Sequence, residues 1–241
     1  MQRRDFLFGC AAAATIADPV LHAQRALAAQ QSSSVKPHDW SRARLLDADG
    51  QPMKASSIEP RKALLFAYPF VGTPAFLIDL DKPTQRSVPL ETQDDERYTW
   101  EGGVGPKRSI VAFSAICAHK MAYPTREITF INYRDEPSAV TRRAHVIHCC
   151  SEHSEYDPAA GARVLSGPAT QPLAAIVLEH DARDDSLHAV GTRGGELFDR
   201  FFERFAMKLS LEHGGDEHRP VGASTTVVPI ERYCRQLMRC N

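Results

Sequence analysis

Cys117-Ala118-His119 and Cys149-Cys150-Ser151-Glu152-His153 place metal-ligating side chains on two short stretches about thirty residues apart. The first reads C-x-H. The second reads C-x-x-H from Cys150, or C-x-x-x-H from Cys149. Two thiolates and two imidazoles, brought as pairs from two loops, suit one metal centre. That centre is either a tetrahedral zinc or a [2Fe–2S] cluster with both Cys on one iron and both His on the other. Two separate Cys/His pairs at ligand spacing seldom arise from unrelated strand-end residues. Ligand spacing selects Cys117, His119, Cys150 and His153, with Cys149 as the alternative to Cys150.

The elements that must position these pairs read as strands. Residues 109–116 form an apolar run into Cys117, and residues 144–148 lead into Cys149. Further strands are expected at 63–68 and 74–78, joined by a Gly-Thr-Pro turn. Residues 79–97 are charged and Pro-interrupted, which predicts a surface loop. Residues 128–133 alternate like a strand, 134–138 form a turn, and 140–147 return antiparallel. This hairpin separates the two loops in sequence but not in space. Segments 161–164, 174–179 and 187–191 continue the sheet. Short strands divided by Gly/Pro turns predict an all-β domain.

The C-terminal part changes period. Phe198, Phe201, Phe202, Phe205 and Leu209 recur at helical spacing, with charged residues between them and Gly214-Gly215 as the stop. This amphipathic helix is expected to pack on its own domain. In the tail beyond it, Cys234 and Cys240 either bridge in an oxidising compartment or stay idle; neither is assigned to the metal centre.

Downstream of the second pair lie Ser154-Glu155-Tyr156-Asp157-Pro158 and Ser166-Gly167-Pro168-Ala169. With these the chain resembles the Rieske family, whose pattern is C-x-H, C-x-x-H, a Ser, an aromatic-Asp pair and a Gly-Pro loop over the cluster. Within the family it is most similar to the small subunits of arsenite oxidase and the Rieske proteins of cytochrome bc complexes. The resemblance runs over residues 61–198. It implies an all-β, Rieske-type antiparallel β-sandwich, here followed by a C-terminal helix and tail. It also implies a [2Fe–2S] cofactor, with Gly167 and Pro168 in the covering loop. Ser154 and Tyr156 either donate hydrogen bonds to cluster sulfurs or pack the loop. No catalytic constellation is visible, so the expected role is a single-electron relay for a redox partner or larger catalytic subunit.

The sequence departs from the family pattern in three ways. Ala122 and Glu152 stand where cytochrome bc Rieske proteins carry a disulfide clamp. The gap between the loops is longer by about a hairpin. An ungapped match anchored on Ser154, Tyr156 and Asp157 selects Cys149 as the thiolate and sets Glu152, rather than His153, at the second His position.

A 241-residue chain with 43% hydrophobic residues can bury one sizeable core. A formal net charge of −1 gives no broad attraction to nucleic acid. Neither G-x-G-x-x-G nor a P-loop is present. Arg3-Arg4-Asp5-Phe6-Leu7 and the apolar stretch 6–17 form a twin-arginine export signal, shorter than the ~20 apolar residues of a membrane span. Some Rieske proteins retain this segment as an anchor, the other reading here. Twin-arginine export carries folded proteins, which suits a cofactor inserted before transport. The expected organisation is a signal over 1–28, a linker and N-terminal extension over 29–60, the Rieske domain over 61–198, and the helix and tail over 199–241. The expected function is a periplasmic iron–sulfur electron-transfer subunit. The alternative is a zinc-stabilised periplasmic binding module without redox activity.

Overall fold

The computed structural model describes residues 38–240. The expected export signal, and the linker up to residue 37, lie outside the described residues. In chain order the strands are β1 (His38–Leu46), β2 (Ala63–Ala67), β3 (Pro74–Asp79), β4 (Val88–Glu91), β5 (Arg97–Trp100), β6 (Ile110–Ser114), β7 (Ile128–Thr129) and β8 (Ile131–Arg134). They continue with β9 (Val146–Cys149), β10 (Ser154–Asp157), β11 (Arg163–Ser166), β12 (Ala175–Asp181), β13 (Ser186–Arg193), β14 (Ser224–Thr226), β15 (Val228–Pro229) and β16 (Gln236–Leu237). Among the described residues the fold is all-β apart from a long C-terminal helix, α1 (Phe198–His213), a single turn, α2 (Ile230–Tyr233), and two short 3-10 turns (Ala55–Ser57 and Pro158–Ala160).

The larger sheet runs β14-β1-β13-β12-β6-β3-β2-β15. All five residues of β6 are buried because it lies between β12 and β3 with both faces covered. A strand in that position reads as an unbroken apolar run, as residues 109–116 do. The second sheet, β11-β10-β9-β8, carries the second Cys/His loop. Phe76, Phe113, Ile131, Ile147, Tyr156, Cys117 and Cys149 share one core, so the thiols sit where the two sheets meet.

The inserted hairpin forms, but its return strand comes later than expected: β8 and β9 pair antiparallel with Ile131 opposite Cys149, and residues 135–145 connect them where a turn at 134–138 and a strand over 140–147 were expected. Two other expectations change. Residues 38–46, inside the expected linker, form β1 and pair with β13. Ala43 and Leu45 point inward, but Arg42 and Arg44 beside them mute the apolar alternation. Residues 88–91 and 97–100, partly inside the expected surface loop, pair as a hairpin through Val88, Leu90, Tyr98 and Trp100, all buried. Pro89 is tolerated because this is a two-stranded ribbon with free edges.

Helix α1 buries Phe198, Phe201, Phe202 and Leu209 against Ile116 and Tyr123, directly behind the first Cys/His loop. Each such side chain contributes about 1.5–3 kcal/mol on burial. Gly214, at φ +65°, ends the helix in the left-handed conformation that glycine adopts without strain. Among the described residues no helix is long and apolar enough to cross a membrane.

Candidate metal centre

The first loop leaves β6 and folds back on itself. The Cys117 N–H donates to the Ala122 carbonyl at 2.9 Å, and the Met121 N–H to the Cys117 carbonyl at 2.9 Å. The second loop is the tight connection between β9 and β10, where Cys149 lies opposite Ser154 and His153 takes φ +60°. Side chains alternate across a strand. One face of β9–β10 therefore presents Cys149, Ser154, Tyr156 and Ile147 to the core. The other presents His148 and Glu155.

The core face brings Cys117 and Cys149 together. They are 2% and 1% exposed, and the two thiols are close enough to interact. The Cys149 thiol lowers the Cys117 pKa to about 6 against the penalty of burial, with help from the Tyr156 hydroxyl and the backbone N–H groups of His119 and Lys120. Cys149, its partner, is pushed upward. Tyr156 Oη lies 3.3 Å from Cys117 Sγ and accepts from the Ala118 N–H at 3.1 Å. Two buried sulfurs facing each other from two loops form the donor pair that a metal requires. The Ser154 hydroxyl is buried against this face without a hydrogen-bond partner. It is free to donate to a group bound there. Both observations fit a sulfur-ligated cluster.

At the rim, His119 Nδ1 lies 3.3 Å from Glu152 Oε2, and Lys120 pairs with the other carboxylate oxygen. His119 and Glu152 are both partly exposed, so this end of the centre opens to solvent while the thiol end is sealed.

Two expected ligands lie elsewhere. Cys150 is joined to Cys240 in a disulfide, so its sulfur is not available as a thiolate. Adjacent residues of an extended chain point to opposite sides, and burying Cys149 in the core turns Cys150 out toward the tail. Of the two expected candidates for the second thiolate, Cys150 is thus tied into a disulfide, and its alternative, Cys149, is the one buried beside Cys117. His153 is exposed and turns toward His148, ring centroids 5.7 Å apart. His148, His153 and Cys240 bring donor atoms within 4.8 Å of one another. With Cys240 oxidised that group retains two imidazoles and no thiolate.

Gly167 and Pro168 pass over the second loop. Gly167 has φ +89°, and a Cβ there would fall 2.5 Å from the His153 carbonyl oxygen, so only glycine fits this approach. The periodicity gave no sign of the buried His148–Glu155 pair, whose Nδ1 and Oε1 stand 3.5 Å apart. Burial lowers the His148 pKa against the pull of Glu155. Thr141 donates to the same carboxylate. Of the remaining histidines, His145 contacts Tyr133 and Asp135, His180 contacts Asp185, and His188 accepts from Arg44.

The Tyr156 contact yields an expected result. Tyr156→Phe removes a donor to a ligand sulfur, so the reduced, more negative centre loses stabilisation and the midpoint potential falls. Voltammetry of wild type and variant checks this; equal potentials would reduce Tyr156 to packing.

No family model matches the chain. It is 29% identical over 141 residues to the iodate reductase subunit IdrB of Denitromonas iodatirespirans, covering 58% of this chain and 60% of that protein. The chain thus spans less than two thirds of that relative's length. A structural comparison pairs it with the soluble domain of the Rieske protein II (soxF) from Sulfolobus acidocaldarius. That match has 26% identity and a TM-score of 0.44, over 64% of this chain and 78% of the other.

Proposed function

We infer that this Rieske-type chain is the small electron-transfer subunit of an oxidoreductase, holding a [2Fe–2S] cluster between its two Cys/His loops. The observation that carries the reading is the buried, facing pair Cys117 and Cys149, one from each loop. Cys117, Cys149 and His119 are three of the ligands, and the fourth comes from the turn between Glu152 and His153. When bound, the cluster supplies a one-electron couple, and nitrogen ligation places its potential above that of all-thiolate ferredoxins.

The chain's own residues set the conditions. The N–H groups of His119 and Lys120 and the Tyr156 hydroxyl stabilise negative charge on the Cys117 sulfur. The core around Phe113, Ile131 and Ile147 excludes water from the thiol end. His119, at the partly exposed rim, offers an electron a way out to the surface. Similarity to a subunit named for iodate reductase supports a larger catalytic partner.

Purified protein provides the test. A brown chain with a rhombic electron paramagnetic resonance signal after reduction is expected. A colourless, zinc-loaded chain would overturn the redox reading and leave the binding-module alternative.

The proposed location is the periplasm, reached by the twin-arginine route. The Arg3-Arg4 motif supports it, and so does a disulfide, which persists in oxidising compartments. Changing Arg3 and Arg4 together to Lys is expected to hold the protein in the cytoplasm. Unchanged periplasmic levels on fractionation would refute this route.

A further inference from the structure

We propose that Glu152, and not His153, is the fourth ligand, so that the centre has two thiolates, one imidazole and one carboxylate. The inference rests on the iron–sulfur reading above and specifies its ligand set.

The donors converge as two pairs, each with one member from either loop. The buried pair is Cys117 with Cys149. The rim pair is His119 with Glu152, Nδ1 to Oε2 at 3.3 Å. Two nitrogen or oxygen ligands about 2.1 Å from a tetrahedral metal stand about 3.4 Å apart. The rim pair therefore already has the spacing of two ligands on one ion. The C-x-H and C-x-x-E spacings each give one residue to the buried pair and one to the rim pair.

His153 fails on three counts. Its ring faces His148 on the opposite side of β9 from the Cys149 thiol. Its backbone is held at φ +60°. Its carbonyl is pressed beneath Gly167, which limits rotation of the peptide that would be needed to redirect the side chain. Glu152 already faces His119 of the other loop.

A carboxylate in place of a neutral imidazole adds one negative charge to the centre. The structure holds the compensating charge: Lys120 pairs with Glu152 Oε1, leaving Oε2 directed at His119. A single anionic oxygen ligand lowers the potential relative to a two-imidazole centre, and Lys120 offsets part of that fall. Lys120→Ala is therefore expected to lower the midpoint potential further while the cluster remains.

Nitrogen hyperfine spectroscopy of the reduced full-length protein, labelled with 15N-histidine, counts coordinated imidazoles without any variant. One strongly coupled nitrogen is expected; two would overturn the proposal. His153→Ala is expected to retain wild-type iron content and an unchanged signal. Loss of the cluster in that variant, with far-ultraviolet circular dichroism unchanged, would also overturn it. Glu152→His is expected to keep the cluster, show two coupled nitrogens and raise the potential; a single coupled nitrogen there would count against Glu152. A wild-type chain that binds no iron would fail the iron–sulfur reading itself, a result distinct from two coupled nitrogens.

Discussion

Cys149→Ser is expected to yield a colourless chain with no reduced-state electron paramagnetic resonance signal, while Cys150→Ser keeps both colour and signal. Cys149 is 1% exposed and faces Cys117 across the loops, whereas Cys150 is bonded to Cys240. Serine presents a hard oxygen where a polarisable thiolate is needed, and a cluster iron left with one thiolate on its buried side is not retained. The effect is all-or-none in iron content rather than a graded shift. Inductively coupled plasma iron analysis beside the visible spectrum reads it directly. The opposite pattern, colour lost with Cys150→Ser and kept with Cys149→Ser, would assign Cys150 and require the disulfide to be absent from the holoprotein.

Breaking the Cys150–Cys240 bond is expected to cost stability without costing the cluster. It closes a loop over a sequence separation of 90 residues. In the chain-entropy account a loop of that length contributes about 4–5 kcal/mol, and native bonds typically give about 2–4 kcal/mol. For a chain of this size the fall in Tm is roughly 5–15 °C. Cys150→Ser and Cys240→Ser remove the same bond, so their Tm values should fall together. The tail keeps other anchors: the Gln236 N–H donates to the Glu127 carbonyl at 3.0 Å and the Met238 N–H to the Thr129 carbonyl at 2.9 Å. Arg134 also reaches the Met238 carbonyl. Once the bond is broken these amides should exchange faster, because a few hydrogen bonds and a two-residue strand hold poorly alone. Unchanged Tm in both variants, with both thiols reactive in the oxidised wild type, would show that the bond does not form. The clamp expected to be missing between the two loops is thus answered by one from the second loop to the C-terminal tail. No interval between neighbouring cysteines announces a bond between residues 150 and 240.

Local pattern was enough to identify most elements. The apolar run into Cys117 became β6, the alternation over 128–133 became β7 and β8, and the phenylalanines at helical spacing became α1. These signals are legible because the burial of a face imposes a period of 2 or 3.6 on the residues themselves. The all-β class followed from them, and the Cys/His spacings marked the two loops. The sequence reading preferred Cys150 to Cys149 on ligand spacing alone. Ligand spacing favoured one and alignment the other, and neither knows which neighbour faces the core. Strand register separates the two: with Cys149 opposite Ser154, the odd positions of β9 face inward and Cys150 is left at the edge, bonded to Cys240. The contacts of Glu152 and His153 were decided in the same way. A turn held by positive φ at His153 and capped by Gly167 sends adjacent side chains to opposite sides, one to His119 and the other to His148. Composition and spacing determine which ligand types are present in a loop, but the direction each one points depends on backbone geometry fixed by partners distant in the chain.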